Sequence, residues 1–205
     1  MIDKTLPKIQ IALYKTDTKE YPKHDLPEGY SFCFYKKGDE VEWAKIECSI
    51  GQFASIDEGI ESFKREFLQN PILTPEERLF FVKDENGEYV ATAALWDGMY
   101  LGKKEQRVHW VAVSDKCAGK GIAKALLTRI LDLYNELGFE GLIYLITATW
   151  YYPAISIYKK FGFNEYSGTK SLSDKLTDEE FVARNTTAIT LINQKLSEYT
   201  KGGKK

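Results

Sequence analysis

The chain has 205 residues, 43% hydrophobic and 28% charged, enough apolar material for one substantial core and unlike the composition of a disordered or fibrous chain. Its formal charge is −2, which excludes the broad basic field that nucleic acid or an anionic membrane surface requires but leaves room for a small ligand held by local lysines. The opening residues MIDKTLPKIQIALYK lack a signal-peptide core, and no apolar run reaches the roughly 18 residues of a membrane span. The expectation is a cytoplasmic protein with no membrane or nucleic-acid partner. Cys33, Cys48 and Cys117 form no CxxC pair, which suits a reducing compartment and gives no metal signature.

In chain order, KIQIALY reads as a strand and is followed by an aromatic-rich stretch from Tyr30 to Trp43. The segment SIDEGIESFKREFLQN reads as a helix: Ser55 and Glu58 have capping-box spacing, and Ile56, Ile60, Phe63 and Phe67 recur at three- and four-residue steps. Two β-rich runs flank Asn86-Gly87, a hairpin signal. A third run, Arg107 to Val113, leads into CAGKGIAKALL, whose glycines precede a helix with Ile122, Leu126, Ile130, Leu133 and Leu137 on one stripe, widened by Leu127 and Tyr134, and Gly138 as its stop. LIYLITAT is a buried strand, and the order strand, helix, strand predicts a right-handed parallel crossover. Pro153 opens a shorter helix with Ile157 and Phe161 inward and Gly162 at its end. A strand, a short acidic helix around TDEEF and a last strand TTAITLIN complete the expectation. No repeat or linker divides the chain, so it reads as one mixed α/β domain over 1–200, with 201–205 a solvated basic tail.

Glycine costs roughly 1 kcal/mol in a helix interior, so Gly119 and Gly121 belong at the first turn, where N–H groups lack helical partners. Free donors, the positive helix end and the absence of a Cβ suit a phosphate. Lys116, Lys120 and Lys124 supply nearby cations. Neither GxxxxGK[ST] nor GxGxxG followed by an acidic residue is present, which sets aside a P-loop and a dinucleotide fold.

The glycine stretch, followed after one strand by YYPAISIYKKFGF, resembles the GNAT superfamily of N-acetyltransferases over roughly 107–163. The resemblance implies a GNAT-type fold, a mostly antiparallel central sheet flanked by helices with a strand-loop-helix cofactor unit, and acetyl-CoA as cofactor. It aligns the family's acetyl-CoA signature with Ala118, Gly119, Lys120, Gly121, Ile122 and Ala123, with Lys124 adjoining. A second signature aligns with Pro153, Ala154 and Ile155, Tyr158, and Phe161-Gly162-Phe163. Ala118 replaces the family's long polar residue, and Tyr151 stands where an asparagine that contacts the cofactor is common. Val111, Ala112 and Val113 are implied to pair with the pantetheine amides, an N–H at or near Val111 to face the oxyanion, and Tyr158 to protonate the departing thiolate.

Simple alternation puts Arg107, His109 and Val111 on one face of their strand with no carboxylate among them. His109 can serve as base or water relay, or pack as an ordinary strand histidine. Trp150, Tyr151 and Tyr152 can wall the acetyl site or form an aromatic core. Cys117 reads as a small filler, and His24 as a loop residue. The function implied is acetyl transfer to a primary amine of a small molecule or peptide, in a monomer or homodimer. A catalytically degenerate CoA-binding module and an aminoacyl- or longer-acyl transferase are the alternatives.

Overall fold

A computed structural model describes residues 3–69, 74–171 and 175–202. Seven strands, β1 (Gln10–Lys15), β2 (Ser31–Phe34), β3 (Leu79–Lys83), β4 (Tyr89–Tyr100), β5 (Lys103–Val113), β6 (Ile143–Ala148) and β7 (Asn164–Glu165), form a sheet in the order β2-β3-β4-β5-β6-β1-β7. β5 and β6 run parallel, with Gln106 opposite Ile143. The pairs β2–β3, β3–β4, β6–β1 and β1–β7 are antiparallel. The helices are α1 (Glu40–Ser49), α2 (Ile56–Phe63), α3 (Pro75–Arg78), α4 (Ile122–Glu136), α5 (Tyr152–Lys160) and α6 (Asp178–Gly202). The mixed, mostly antiparallel sheet with flanking helices is the expected fold class. By contacts the chain divides into two compact units, Met1–Tyr21 with Asp97–Arg107 and Glu140–Lys205, and Pro22–Trp96 with Val108–Phe139.

In the second unit, α2 starts as its sequence dictates: the Glu58 N–H donates to Ser55 Oγ at 3.2 Å, and Glu58 Oε2 accepts from the Ala54 N–H at 3.0 Å. The helix then widens into a π-helical stretch, Lys64–Leu68. Trp43 of α1 is fully buried, its ring 4.9 Å from Trp110, 5.4 Å from Phe63 and 6.0 Å from Phe67. On α4, Ile122, Leu126, Leu127, Ile130, Leu133 and Tyr134 are buried, each apolar side chain contributing about 1.5–3 kcal/mol relative to exposure. Leu137 departs from that stripe: it follows the last helical residue as the C-cap and is 43% exposed.

One turn beyond Trp43, Glu47 is 2% exposed, and its Oε1 has no hydrogen-bond partner among the described residues. Burial alone pushes its carboxyl up from 4.5 to about 8. The folded state therefore holds one more proton than the unfolded chain between those pH values. The stability gained from that proton is complete below about pH 4.5 and is lost as pH rises through about 8. Denaturant unfolding from pH 5 to 9 should show wild-type stability falling relative to Glu47→Gln by about 1.4 kcal/mol per pH unit up to about pH 8 and levelling above it, and a pH-independent difference would contradict this.

In the first unit, β1 lies between β6 and β7, Leu13 facing both Leu145 and Glu165. Tyr100, Tyr144, Tyr166 and Phe181 pack beside Ala12. The end of the chain corrects the expectation: TTAITLIN is not a strand, and TDEEF opens the long helix α6. Thr177 and Glu180 cap it reciprocally, at 2.9 and 3.2 Å. Phe181, Asn185, Ala188 and Ile192 form its buried stripe, and the Asn185 amide donates to the Tyr166 carbonyl at 2.6 Å. On α5 the buried residues are Ile155 and Tyr158, whereas Ile157 is half-buried. Of the anticipated basic tail, residues 203–205 lie outside the described residues, while Lys201 and Gly202 are helical. Among the described residues no helix is long and apolar enough to cross a membrane. Nor does any group of three or more His, Cys, Asp or Glu side chains there form a metal site.

Candidate active site

The glycine loop lies in the second unit. After β5, a single 3-10 turn, Asp115–Cys117, is closed by the Cys117 N–H on the Ser114 carbonyl at 2.8 Å and the Ala118 N–H on the Asp115 carbonyl at 3.1 Å. Gly119 and Gly121 then take φ of +79° and +88°, the left-handed region that glycine enters without a Cβ penalty. Gly121 is the N-cap of α4, and its carbonyl accepts from Lys124 at 3.0 Å and Ala125 at 3.3 Å. The N–H groups of Gly119, Gly121, Ile122 and Ala123 make no backbone hydrogen bond to a described residue, while that of Lys120 closes the turn through Ala118 and Gly119. A Cβ built on Gly119 or Gly121 would meet nothing within 4 Å. Open amides beside two left-handed glycines at a positive helix end are of the kind that suits an anion, and the space above the glycines leaves room for one. Ala118, an alanine where the family has a long side chain, takes nothing from this main-chain arrangement.

Of the expected cations, Lys116 pairs with Glu88 at 2.5 Å. Lys120 instead donates to the phenol Oη of Tyr30 at 2.7 Å, a contact that raises its pKa. Lys124 is half-buried in the first turn of α4. Tyr30 Oη also lies 3.8 Å from the Sγ of buried Cys117.

Trp110 has a φ of +47°, a genuine outlier for a bulky residue and a form of strain that concentrates at functional sites. It overturns the simple alternation expected for β5. His109 and Trp110, adjacent in sequence, stand ring to ring at 5.6 Å, and each also packs on the α1–α2 aromatic cluster, His109 on Phe67 at 5.8 Å and Trp110 on Trp43. Ala112 is buried in the same cluster, while Val111 and Val113 are half-buried. His109 Nε2 lies 3.0 Å from Glu66 Oε2. The carboxylate missing from the strand thus comes from the π-helical stretch, 43 residues away. No sequence pattern flagged Glu66 or Tyr30, because neither lies near its partner along the chain.

In the first unit, Tyr158 is 8% exposed, its ring edge-on to Phe163 at 6.1 Å. Burial pushes its phenol up to about 12, so it stays protonated through the neutral range and is a proton donor there. Tyr151 is the half-buried N-cap of α5, and Ala154 sits half-buried in its first turn. Trp150 is occupied by the N-terminal segment: its indole donates to the Leu6 carbonyl at 2.6 Å, and Lys8 Nζ stands 4.9 Å from its ring centre.

Residues 39–163 match the model of the Acetyltransferase (GNAT) family. A rat protein, N-acetyltransferase family 8 member 2 from Rattus norvegicus, is 31% identical over 88 residues, which are 42% of this chain and 38% of that protein. N-acetyltransferase 8 from Mus musculus is 30% identical over the same shares. The match thus spans well under half the length of these relatives. Among solved structures, a GCN5-related N-acetyltransferase from Sphaerobacter thermophilus superposes with a TM-score of 0.59 at 21% identity, over 78% of this chain and 49% of that one. A GNAT-family acetyltransferase from Colwellia psychrerythraea gives 0.58 at 15%, over 77% and 53%. At these identities the superpositions speak to fold, whereas the family model covers well over half of the sequence: the chain belongs to the GNAT family of acetyltransferases.

Proposed function

We propose that this protein transfers an acetyl group from acetyl-CoA to a primary amine of a small molecule or peptide. The observation that carries the reading is the glycine loop, with four unengaged amides and two left-handed glycines open to solvent at the head of α4. When bound, acetyl-CoA supplies the acetyl group as an activated thioester. The amides of Gly119, Gly121, Ile122 and Ala123 hold its diphosphate, aided by Lys120 and Lys124. Val111 to Val113 give β-strand pairing to the pantetheine, and Tyr151 and Ala154 contact the cofactor from α5. His109, oriented by Glu66, accepts the amine's proton, because only a neutral amine is nucleophilic. Tyr158 returns a proton to the leaving sulfur. The protein works in the cytoplasm, as a monomer or homodimer.

The test is release of free thiol from acetyl-CoA against a panel of primary amines. Turnover on at least one amine supports the reading. Tight CoA binding without turnover on any of them would mark a binding module instead. His109→Ala should lower the rate about 10²-fold and remove the acid limb of the pH–rate profile near neutrality. Glu66→Gln should lower the rate while leaving a limb in place. An unaltered His109→Ala profile would remove His109 as base.

A further inference from the structure

We infer that Tyr30 is a positioning residue for the cofactor's diphosphate, acting through Lys120; this rests on the proposed function. Lys120 stands between two glycines that offer no side chain, so it is the cation carried within the loop itself. A lysine there has four rotatable bonds and would spend most of its time away from the amides. Tyr30 restrains it: the phenol oxygen accepts from Nζ at 2.7 Å, and the ammonium lies 5.4 Å from the ring centre. The partner is a phenol and not a carboxylate, in contrast to Lys116 with its Glu88. With its oxygen accepting from Lys120, the phenol has its own hydrogen to give to Cys117 Sγ at 3.8 Å.

Tyr30 is itself fixed from both sides. On one side a strap over residues 22–30 is tied to α4. The His24 N–H donates to Thr128 Oγ1 at 3.1 Å, Thr128 Oγ1 donates to the Pro22 carbonyl at 3.3 Å, and Lys23 pairs with Asp132. On the other side, β2 begins at the next residue, with Ser31 paired to Lys83. The strap, the phenol and the lysine thus form one chain of contacts from α4 to the glycine loop.

Preorganising one lysine implies about a fivefold to tenfold effect on affinity. The experiment compares calorimetric CoA affinity and steady-state kinetics for wild type, Tyr30→Phe, Lys120→Ala and the double variant, with acetyl-CoA and with S-acetylpantetheine, which lacks the diphosphate. Tyr30→Phe keeps the ring and should weaken CoA binding by that factor, raise the KM for acetyl-CoA at unchanged kcat, and leave turnover of S-acetylpantetheine as in wild type. In the Lys120→Ala background the same change should have no further effect. Wild-type affinity in Tyr30→Phe, an equal loss in the Lys120→Ala background, or impaired turnover of S-acetylpantetheine would each overturn the inference. A wild-type protein that binds no CoA would overturn the underlying function as well, and is told apart from those results by the first titration.

Discussion

Tyr158→Phe should lower kcat by about 10²-fold or more while CoA affinity and thermal stability stay close to wild type. The substitution removes one oxygen and keeps the ring against Phe163, so the packing of α5 is preserved and the stability change should lie within about 1.5 kcal/mol. A phenol lifted to about 12 by burial is a weak acid for a thiolate whose ordinary value is near 8.5. The same desolvation raises the thiolate's basicity, so the two move together and transfer remains feasible. The chemistry places the loss in kcat, because the missing proton matters only as the carbon–sulfur bond breaks. A Tyr158→Phe protein that releases thiol at the wild-type rate would make Tyr158 a core tyrosine and nothing more.

Local patterns were legible in the sequence wherever a short-range rule governed the outcome. The Ser55–Glu58 cap, the hairpin at Asn86-Gly87, the α4 stripe and the glycine loop all formed where expected, since each is decided by residues within a few positions of one another. The C-terminal helix was misread for a physical reason. TTAITLIN is rich in β-branched residues, which favour strands, yet its threonines satisfy themselves inside a helix. Thr187 donates to the Ala183 carbonyl at 3.0 Å and Thr190 to the Thr186 carbonyl at 2.9 Å. Burial of Phe181, Asn185, Ala188 and Ile192 then decides the matter at helical spacing. With that segment helical, the strand between β6 and β7 comes from the opposite end of the chain, as β1.

The candidate site was legible in its main-chain geometry and illegible in its side-chain partnerships. The glycine loop announces itself because positive φ is nearly a glycine property. The positive φ of Trp110 has no such marker, and it breaks the alternation expected along β5. Glu66 and Tyr30 reach their partners over 43 and 90 residues, distances at which only the folded chain can bring groups together. The aromatic-rich stretch divided between an edge strand, β2, and the helix that buries Trp43, a division its composition did not reveal.

Gly121→Val should abolish measurable CoA binding, a loss of at least about 100-fold (more than about 2.7 kcal/mol), with a modest cost to the fold. Two effects combine. At a φ of +88° an L side chain costs about 1–2 kcal/mol, more for a β-branched one, so the backbone will relax and turn its amides away from a common focus. The valine methyls also enter the space that stands open above the loop, where a Cβ meets nothing within 4 Å. That emptiness separates the two costs: with no protein atom to strike, stability pays only for backbone strain, while the ligand loses both donors and room. Gly121→Ala, with the same φ problem and less bulk, should fall between. Calorimetry with CoA, alongside thermal unfolding of the same samples, decides it. If Gly121→Val binds CoA within twofold of wild type, the diphosphate does not rest on this loop and the cofactor assignment fails with it.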